Sequence, residues 1–394
     1  MKEVNVIMNI SKFNKLDYSI YLIIVFFMLI SCATIYSAQK SLPYLDNFAL
    51  KQAIWFIFGL VISTIVYFFD FEQIKKISTY LYFLGISVLT ILMFSPESIA
   101  PEIKGIKAWF SFPGIGSIQP SEFMKIFLIL FLAKVIVDHH KKNIDKSIKT
   151  DLKLLSKIIF VTLLPLGLVL QQPDTGTGLV LVAIMIGMIF VSSIDWKVIV
   201  LLVSIGLIIL TTLVMTYLYN SDIFLLFLDQ YQLDRIHSWI DPFADAQGIG
   251  YQLSQSILSI GSGEISGAGY KEANVYVPEA HSDFIFTVLA AEFGFLGSSL
   301  ITCLYFLLFY RMFVIAFKSK GVYEILIAAG VSSMLTFHIF ENIGMVTGLV
   351  PITGIPLPLL SYGGSSILST ILALTIVINI SINTKNYMFD RKEN

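Results

Sequence analysis

Asp283 stands where a long polar stretch gives way to an apolar run, in the block Val277-Pro278-Glu279-Ala280-His281-Ser282-Asp283-Phe284-Ile285-Phe286. A carboxylate partly removed from water has its pKa raised toward neutrality, as a general base requires. Glu279 and His281 crowd the same boundary. The plainer alternative is that Ser282 or Asp283 caps the helix that follows, where an acid also suits the helix dipole. Glu122 and Lys125 form a second constellation, one helical turn apart in an apolar run, so that both side chains meet on one face. Either they neutralise each other so that the helix can insert, or they face a polar cavity. In Gln171-Gln172-Pro173-Asp174-Thr175-Gly176-Thr177-Gly178 the glycines leave backbone amides accessible. Asp174 there orients or ligates something, or Asp174 or Thr175 simply caps the next helix. Arg235, amid Asp229, Asp234 and Asp241, is a candidate anion binder or a charge that its neighbours neutralise. Glu292, Glu324, His338 and Glu341 are weaker signals, and Glu341-Asn342 with Gly344 and Gly348 suits close helix packing.

The elements that must hold these residues are membrane helices. Hydrophobic residues make up 56% of the 394-residue chain and charged residues only 13%, about half the charge of a soluble domain. The apolar residues fall in blocks of about 20, the length that crosses a bilayer core. The expected fold is all-α: one polytopic membrane domain over 1–394 with about ten transmembrane helices. The expected helices are Tyr18–Ala38, 48–69, 77–94, 121–137, 155–170, 177–193, 197–219, 284–310, 322–346 and 357–382. The first is read as retained, because it is long for a signal h-region and ends in a poor cleavage site. Basic residues concentrate in alternate connections, above all Lys141, Lys142, Lys146, Lys149, Lys153 and Lys157. By the positive-inside rule this makes both termini cytoplasmic. Residues 220–283 are then a large extracellular loop, with a short surface helix expected at 253–260. Residues 95–120 read as an ordered outer loop around Trp109, and the Pro- and Gly-rich stretch 349–364 as backbone folded into the membrane edge under protein cover. A net charge of -1 gives no reason to expect nucleic acid. Cys32 and Cys303 lie in apolar blocks and indicate no disulfide framework.

Five segments in register resemble the SEDS family (shape, elongation, division, sporulation). They are Gly105-Ile106-Lys107-Ala108-Trp109, Ile118-Gln119-Pro120-Ser121-Glu122-Phe123-Met124-Lys125, Gln172 through Thr177, Pro278 through Phe286, and Asn342-Ile343-Gly344-Met345 followed by Gly348-Leu349 and the run from Pro351 to Ser365. Within the family, Pro351-Ile352-Thr353-Gly354-Ile355-Pro356-Leu357-Pro358 is more similar to the elongation branch (RodA) than to the division branch (FtsW). Ser282 departs from a common Thr, and the stretch around Gly263 is looser than usual. The resemblance implies a peptidoglycan glycosyltransferase of the bacterial cytoplasmic membrane. It would join lipid II into β-1,4 glycan strands, work with a class B penicillin-binding protein, and depend on a divalent cation (Mg²⁺ or Mn²⁺). On this reading Asp283 is the base. Lys107, Lys125 and Arg235 are candidates for holding the lipid diphosphate, and Glu122 and Asp174 orient Lys125 or help hold a cation. Trp109 and His281 complete the expected substrate-binding set. The partner is expected against 325–348, where Ala328, Ala329, Gly330, Ser332 and Ser333 allow close approach, unless these small residues pack only within the bundle. The competing reading is a lipid II flippase, which needs polar residues at all depths; here they crowd toward the outer side. A third is a non-catalytic scaffold.

Overall fold

The computed structural model describes residues 18–41, 47–67, 69–103, 105–112, 116–145, 147–219, 230–273 and 276–389. Lys12 and Lys15, which precede the first helix, lie outside them, as do Lys146 and Asp229. The helices are α1 (Tyr18–Ala38), α2 (Phe48–Val66), α3 (Phe71–Phe94), α4 (Pro120–Lys142), α5 (Ile148–Leu170), α6 (Thr175–Val191), α7 (Trp196–Tyr219), α8 (Gln230–Ile240), α9 (Tyr251–Ser262), α10 (Ile285–Lys318), α11 (Val322–Val346) and α12 (Gly364–Phe389). Among the described residues eight helices are long and apolar enough to cross a membrane. The charged α4 and the shorter α6 pack among them, which matches the expectation of about ten spans.

Local chemistry sets the helix ends. Asn47 accepts from the Leu50 amide at the start of α2, and Ser147 and Thr150 exchange side-chain and backbone bonds at the start of α5, a reciprocal cap that satisfies two orphan amides. Pro120 opens α4, where its missing N–H costs nothing. Two elements escaped the sequence reading: helix α8, and the hairpin in which β1 (Phe110–Phe112) pairs antiparallel with β2 (Gly116–Ile118). The surface helix expected at 253–260 is α9.

Helix α4 is the hub, touching α3, α5, α6, α11 and α12, with Met124, Leu128, Ile129, Leu132 and Ile136 buried. By contrast α7 buries only Val198, so its apolar surface is left for lipid. The small residues of α11 turn inward: Ala328 and Gly330 are buried, and a Cβ on Gly187 of α6 would collide with Ser333. The close approach that they permit is between helices of this chain, while Ala329 and Ser332 stay part-exposed on the outer side of α11.

Helix α10 breaks at Gly294 (φ 60°, ψ -157°). The loop after α9 takes up the backbone groups freed there: Phe295 N donates to Glu264 O at 2.9 Å and Ala268 N to Ala291 O at 2.9 Å. A kink inside a membrane helix is tolerable when protein restores its hydrogen bonds.

The second irregular segment is a strap, residues 347–363, between α11 and α12. The sequence reading began the last helix at 357; it begins at Gly364. Pro356 and Pro358 remove two amides, and Leu359 adopts φ 63°, so a helix cannot propagate there.

Candidate functional site

Glu122 and Lys125, in the first turns of α4, are 3% and 1% exposed. Lys125 Nζ donates to Glu122 Oε1 at 2.8 Å and to His338 Nε2 of α11 at 3.0 Å. An ammonium has only donors, so Nε2 accepts and the ring proton sits on Nδ1, which points at Pro356 O, 3.4 Å away. The other Glu122 oxygen accepts from Ser369 Oγ of α12 at 2.7 Å. A buried ion pair needs this kind of further bonding to offset its desolvation.

Asp174 lies beside this pair, in the turn between α5 and α6. Its Oδ1 accepts from the Thr177 amide at 3.0 Å and its Oδ2 from Gln119 Nε2 at 2.9 Å. The capping reading of Asp174 therefore holds, and a second bond ties the turn to the segment that opens α4. Burial pushes the Asp174 carboxyl above the usual carboxylate range, against the pull of the Thr177 amide.

Asp283 approaches from the other side of the strap. Helix α10 starts at Ile285 with Phe284 as its N-cap and no side-chain cap bond. Phe284, rather than Ser282 or Asp283, occupies the N-cap position. Asp283 is half-buried in a turn closed by Ser282 N and Phe284 N on Glu279 O. Its carbonyl accepts from Asn342 Nδ2 at 2.7 Å, and its carboxylate Oδ2 lies 3.4 Å from where a Cβ on Gly354 would sit. Asn342 Nδ2 also donates to Ile355 O at 2.8 Å. His338 and Asn342, four residues apart, share one face of α11 and brace adjacent strap carbonyls, one from the Lys125 side and one from the Asp283 side.

The remaining candidates divide. His281 is buried between the rings of Phe48 and Tyr362, with centroids 4.6 and 5.6 Å away, and its carbonyl accepts from Tyr362 N. It shapes the wall behind Asp283. Arg235 of α8 donates to Ile352 O and reaches the strap. Its guanidinium carbon lies 4.5 Å from the Tyr231 ring centroid. Lys107 donates to Met93 O and Ser95 O, closing the end of α3 rather than joining Lys125. Trp109 is half-buried just before β1. Gln52, Ser31, Ser361, Ser369 and Tyr305 carry much of the site's support, and spacing alone gave no signal for them. Gln52 Nε2 donates to Ser31 Oγ and Ser361 O, Ser361 Oγ to Ser282 O, and Tyr305 Oη to Pro358 O.

No group of three or more His, Cys, Asp or Glu able to cage a metal occurs among the described residues. Magnesium commonly needs only one or two protein carboxylates when substrate phosphates and water complete its shell, so these residues fit a shared cation site rather than an all-protein one.

Comparison with known proteins agrees with this architecture. The profile of the cell cycle protein family FtsW/RodA/SpoVE matches residues 15–386. The chain is 38% identical over 282 residues to stage V sporulation protein E of Bacillus subtilis, covering 70% of this chain and 72% of that one. It is 31% identical over 366 residues to the probable peptidoglycan glycosyltransferase FtsW of Coxiella burnetii, covering 91% and 93%. Among solved structures, a chain from a peptidoglycan synthase complex that coordinates polymerisation and crosslinking superposes with a TM-score of 0.76 at 26% identity, covering 94% of this chain and 98% of that one. With the profile spanning nearly its whole length and relatives above 30% identity, this chain belongs to the FtsW/RodA/SpoVE family.

Proposed function

We propose that this chain is a peptidoglycan glycosyltransferase that polymerises lipid II, with Asp283 as the general base. The observation that carries this is the shared strap: Asn342 and His338 tie one short stretch of backbone to the Asp283 turn and to the buried Lys125. In the reaction the acceptor hydroxyl attacks the donor's anomeric carbon. Asp283 takes the hydroxyl proton, the new glycosidic bond forms, and the bond to the diphosphate breaks with its electron pair leaving on undecaprenyl diphosphate. That leaving group is already acidic, so no second carboxyl is needed to protonate it, unlike the paired acids of glycosidases. It needs positive charge as it departs. Lys125 supplies this, held by Glu122 and His338, and Arg235 is a second cation for the substrate. A divalent cation bound with the diphosphate would add further charge there, with Asp174 as the protein carboxylate available to it.

Asp283→Asn keeps the shape of the side chain and removes the base. The protein should reach the membrane at normal abundance, bind lipid II, and polymerise it about 10²-fold more slowly or worse. A well-folded Asp283→Asn protein that builds glycan at the wild-type rate overturns the assignment. Scoring the same preparation for transbilayer movement of labelled lipid II separates a polymerase from a flippase.

The cellular role has two readings. Elongation is favoured by Pro351 through Pro358, and a class B penicillin-binding protein would then be the partner for crosslinking. Division or sporulation is favoured by the names of the Bacillus subtilis and Coxiella burnetii relatives. Rescue of rod shape in an elongation-depleted strain, against rescue of septation in a division-depleted one, distinguishes them.

A further inference from the structure

At the end of α4 opposite Glu122 and Lys125, a cavity of about 290 Å³ opens between α4 and α5, with Lys134, His139, Lys142, Lys157, Phe131 and Phe160 in its lining. Asp138 is its one acid, and Lys75 of α3 already holds that carboxylate at 2.7 Å. Lys134 Nζ donates to Thr79 Oγ1 at 2.6 Å and Lys157 Nζ to His139 Nδ1 at 3.3 Å, both uncharged acceptors. Among the described residues no carboxylate lies within ion-pair distance of Lys134, Lys142 or Lys157. Three lysines thus line one concavity against a single carboxylate that Lys75 already holds, an arrangement that an anion relieves. The other walls are apolar, and Phe160 is 74% exposed on the outside of the bundle, where acyl chains run. From Phe131 to Lys142 the helix rises roughly 16 Å, enough for a headgroup and the upper part of a chain. The end of α4 at Lys142 and the start of α5 at Ile148 lie beside the cavity and mark this as a membrane surface.

We infer that this cavity binds the phosphate of an anionic glycerophospholipid between Lys134, Lys142 and Lys157, with an acyl chain against Phe131 and Phe160. Basic pockets between membrane helices on a cytoplasmic face hold such headgroups. The inference is independent of the polymerase reading, since none of these residues belongs to the candidate site.

The test is native mass spectrometry of the full chain in detergent, titrated with phosphatidylglycerol or phosphatidylcholine. The wild type should retain phosphatidylglycerol in preference. The triple variant Lys134→Gln, Lys142→Gln, Lys157→Gln should lose about tenfold or more of that affinity. A control with the same loss of charge on the same face, Lys149→Gln, Lys153→Gln, Lys197→Gln, should keep it. Lys142→Glu, at an exposed position, gives a reading should the triple variant fail to fold, and it should also weaken binding. Equal losses in both triple variants would mean diffuse attraction, and undiminished binding by the cavity variants would mean no site; either overturns the inference. Displacement of the lipid by inorganic phosphate in large excess would make this a free-phosphate site and likewise overturn it.

Discussion

Lys125 is gripped from two sides, by Glu122 in its own helix and by His338, which is 213 residues away in the chain. That grip separates two roles that the pair could play. Removing one partner of a buried pair strands a charge and costs about 3–5 kcal/mol, whereas replacing both with neutral groups of similar size is far milder. Glu122→Gln alone should therefore lower the melting temperature more than Glu122→Gln with Lys125→Met. The polymerase assay on the double variant then decides the role. We expect a folded protein without turnover, and retained turnover would reduce the pair to an insertion device. Spacing was enough to set Glu122 against Lys125, because one helical turn is a local distance. It was mute about His338 and Ser369, since contacts across 213 and 247 residues leave no periodic trace. Asp283 was legible for a different reason, the abrupt change from polar loop to apolar helix. Only the backbone revealed that Phe284, rather than Asp283, occupies the N-cap.

Turns and straps between helices hold most of what periodicity could not reveal. Apolar runs located the long helices but stopped five to eight residues short where polar turns extend them, at the starts of α3 and α5 and the ends of α4 and α10. The run from Leu357 onward continued that pattern, yet two prolines and a left-handed Leu359 keep it out of α12. Composition also concealed α8 and the hairpin, which are short and partly polar. Gly354 has φ 78°, a conformation costing about 1–2 kcal/mol for a residue with a Cβ, although a Cβ there would have room beside Asp283. Gly354→Ala should lower stability by about that amount and slow polymerisation more than stability accounts for, because the strap positions Asp283. Parallel melting and turnover measurements check this, and unchanged turnover in a destabilised protein would deny the strap that role. The Asp174 turn carries a pH prediction. Burial raises its carboxyl pKa, so the folded state favours the protonated form. Its contribution to stability is present below the unfolded pKa and is lost as pH rises through the raised folded value. Asp174→Asn removes the charge and keeps a capping oxygen. It should melt no lower than wild type at neutral pH, with the difference closing in acid, while activity falls if the carboxylate meets substrate or cation. A melting series against pH, paired with turnover, tests both halves.

The whole molecule has two unlike ends. At one, Lys75, Lys134, Lys142 and Lys157 gather around the starts of α3 and α5 and the end of α4. At the other lie Asp174, Asp283, the hairpin and the strap. By the positive-inside rule the first end is expected to face the cytoplasm. In a variant with Cys32 and Cys303 replaced by Ser, an impermeant thiol reagent outside the cell should label a cysteine at Glu272 and spare one at Asp145. The reverse pattern would invert the orientation. The strap adds a consequence for how such a chain is made. Its carbonyls are satisfied by Ser31 and Gln52 from the first two helices, by Tyr305 from α10 and by Asn342 from α11. Ser365 and Ser369, just beyond it in α12, bond to Gln119 and Glu122. The earliest helices to enter the membrane therefore wait, with polar groups unmatched, for the last ones. During synthesis the candidate site cannot assemble until the final span is threaded, so a chain truncated before α12 should be silent, and completion of translation would itself license the site.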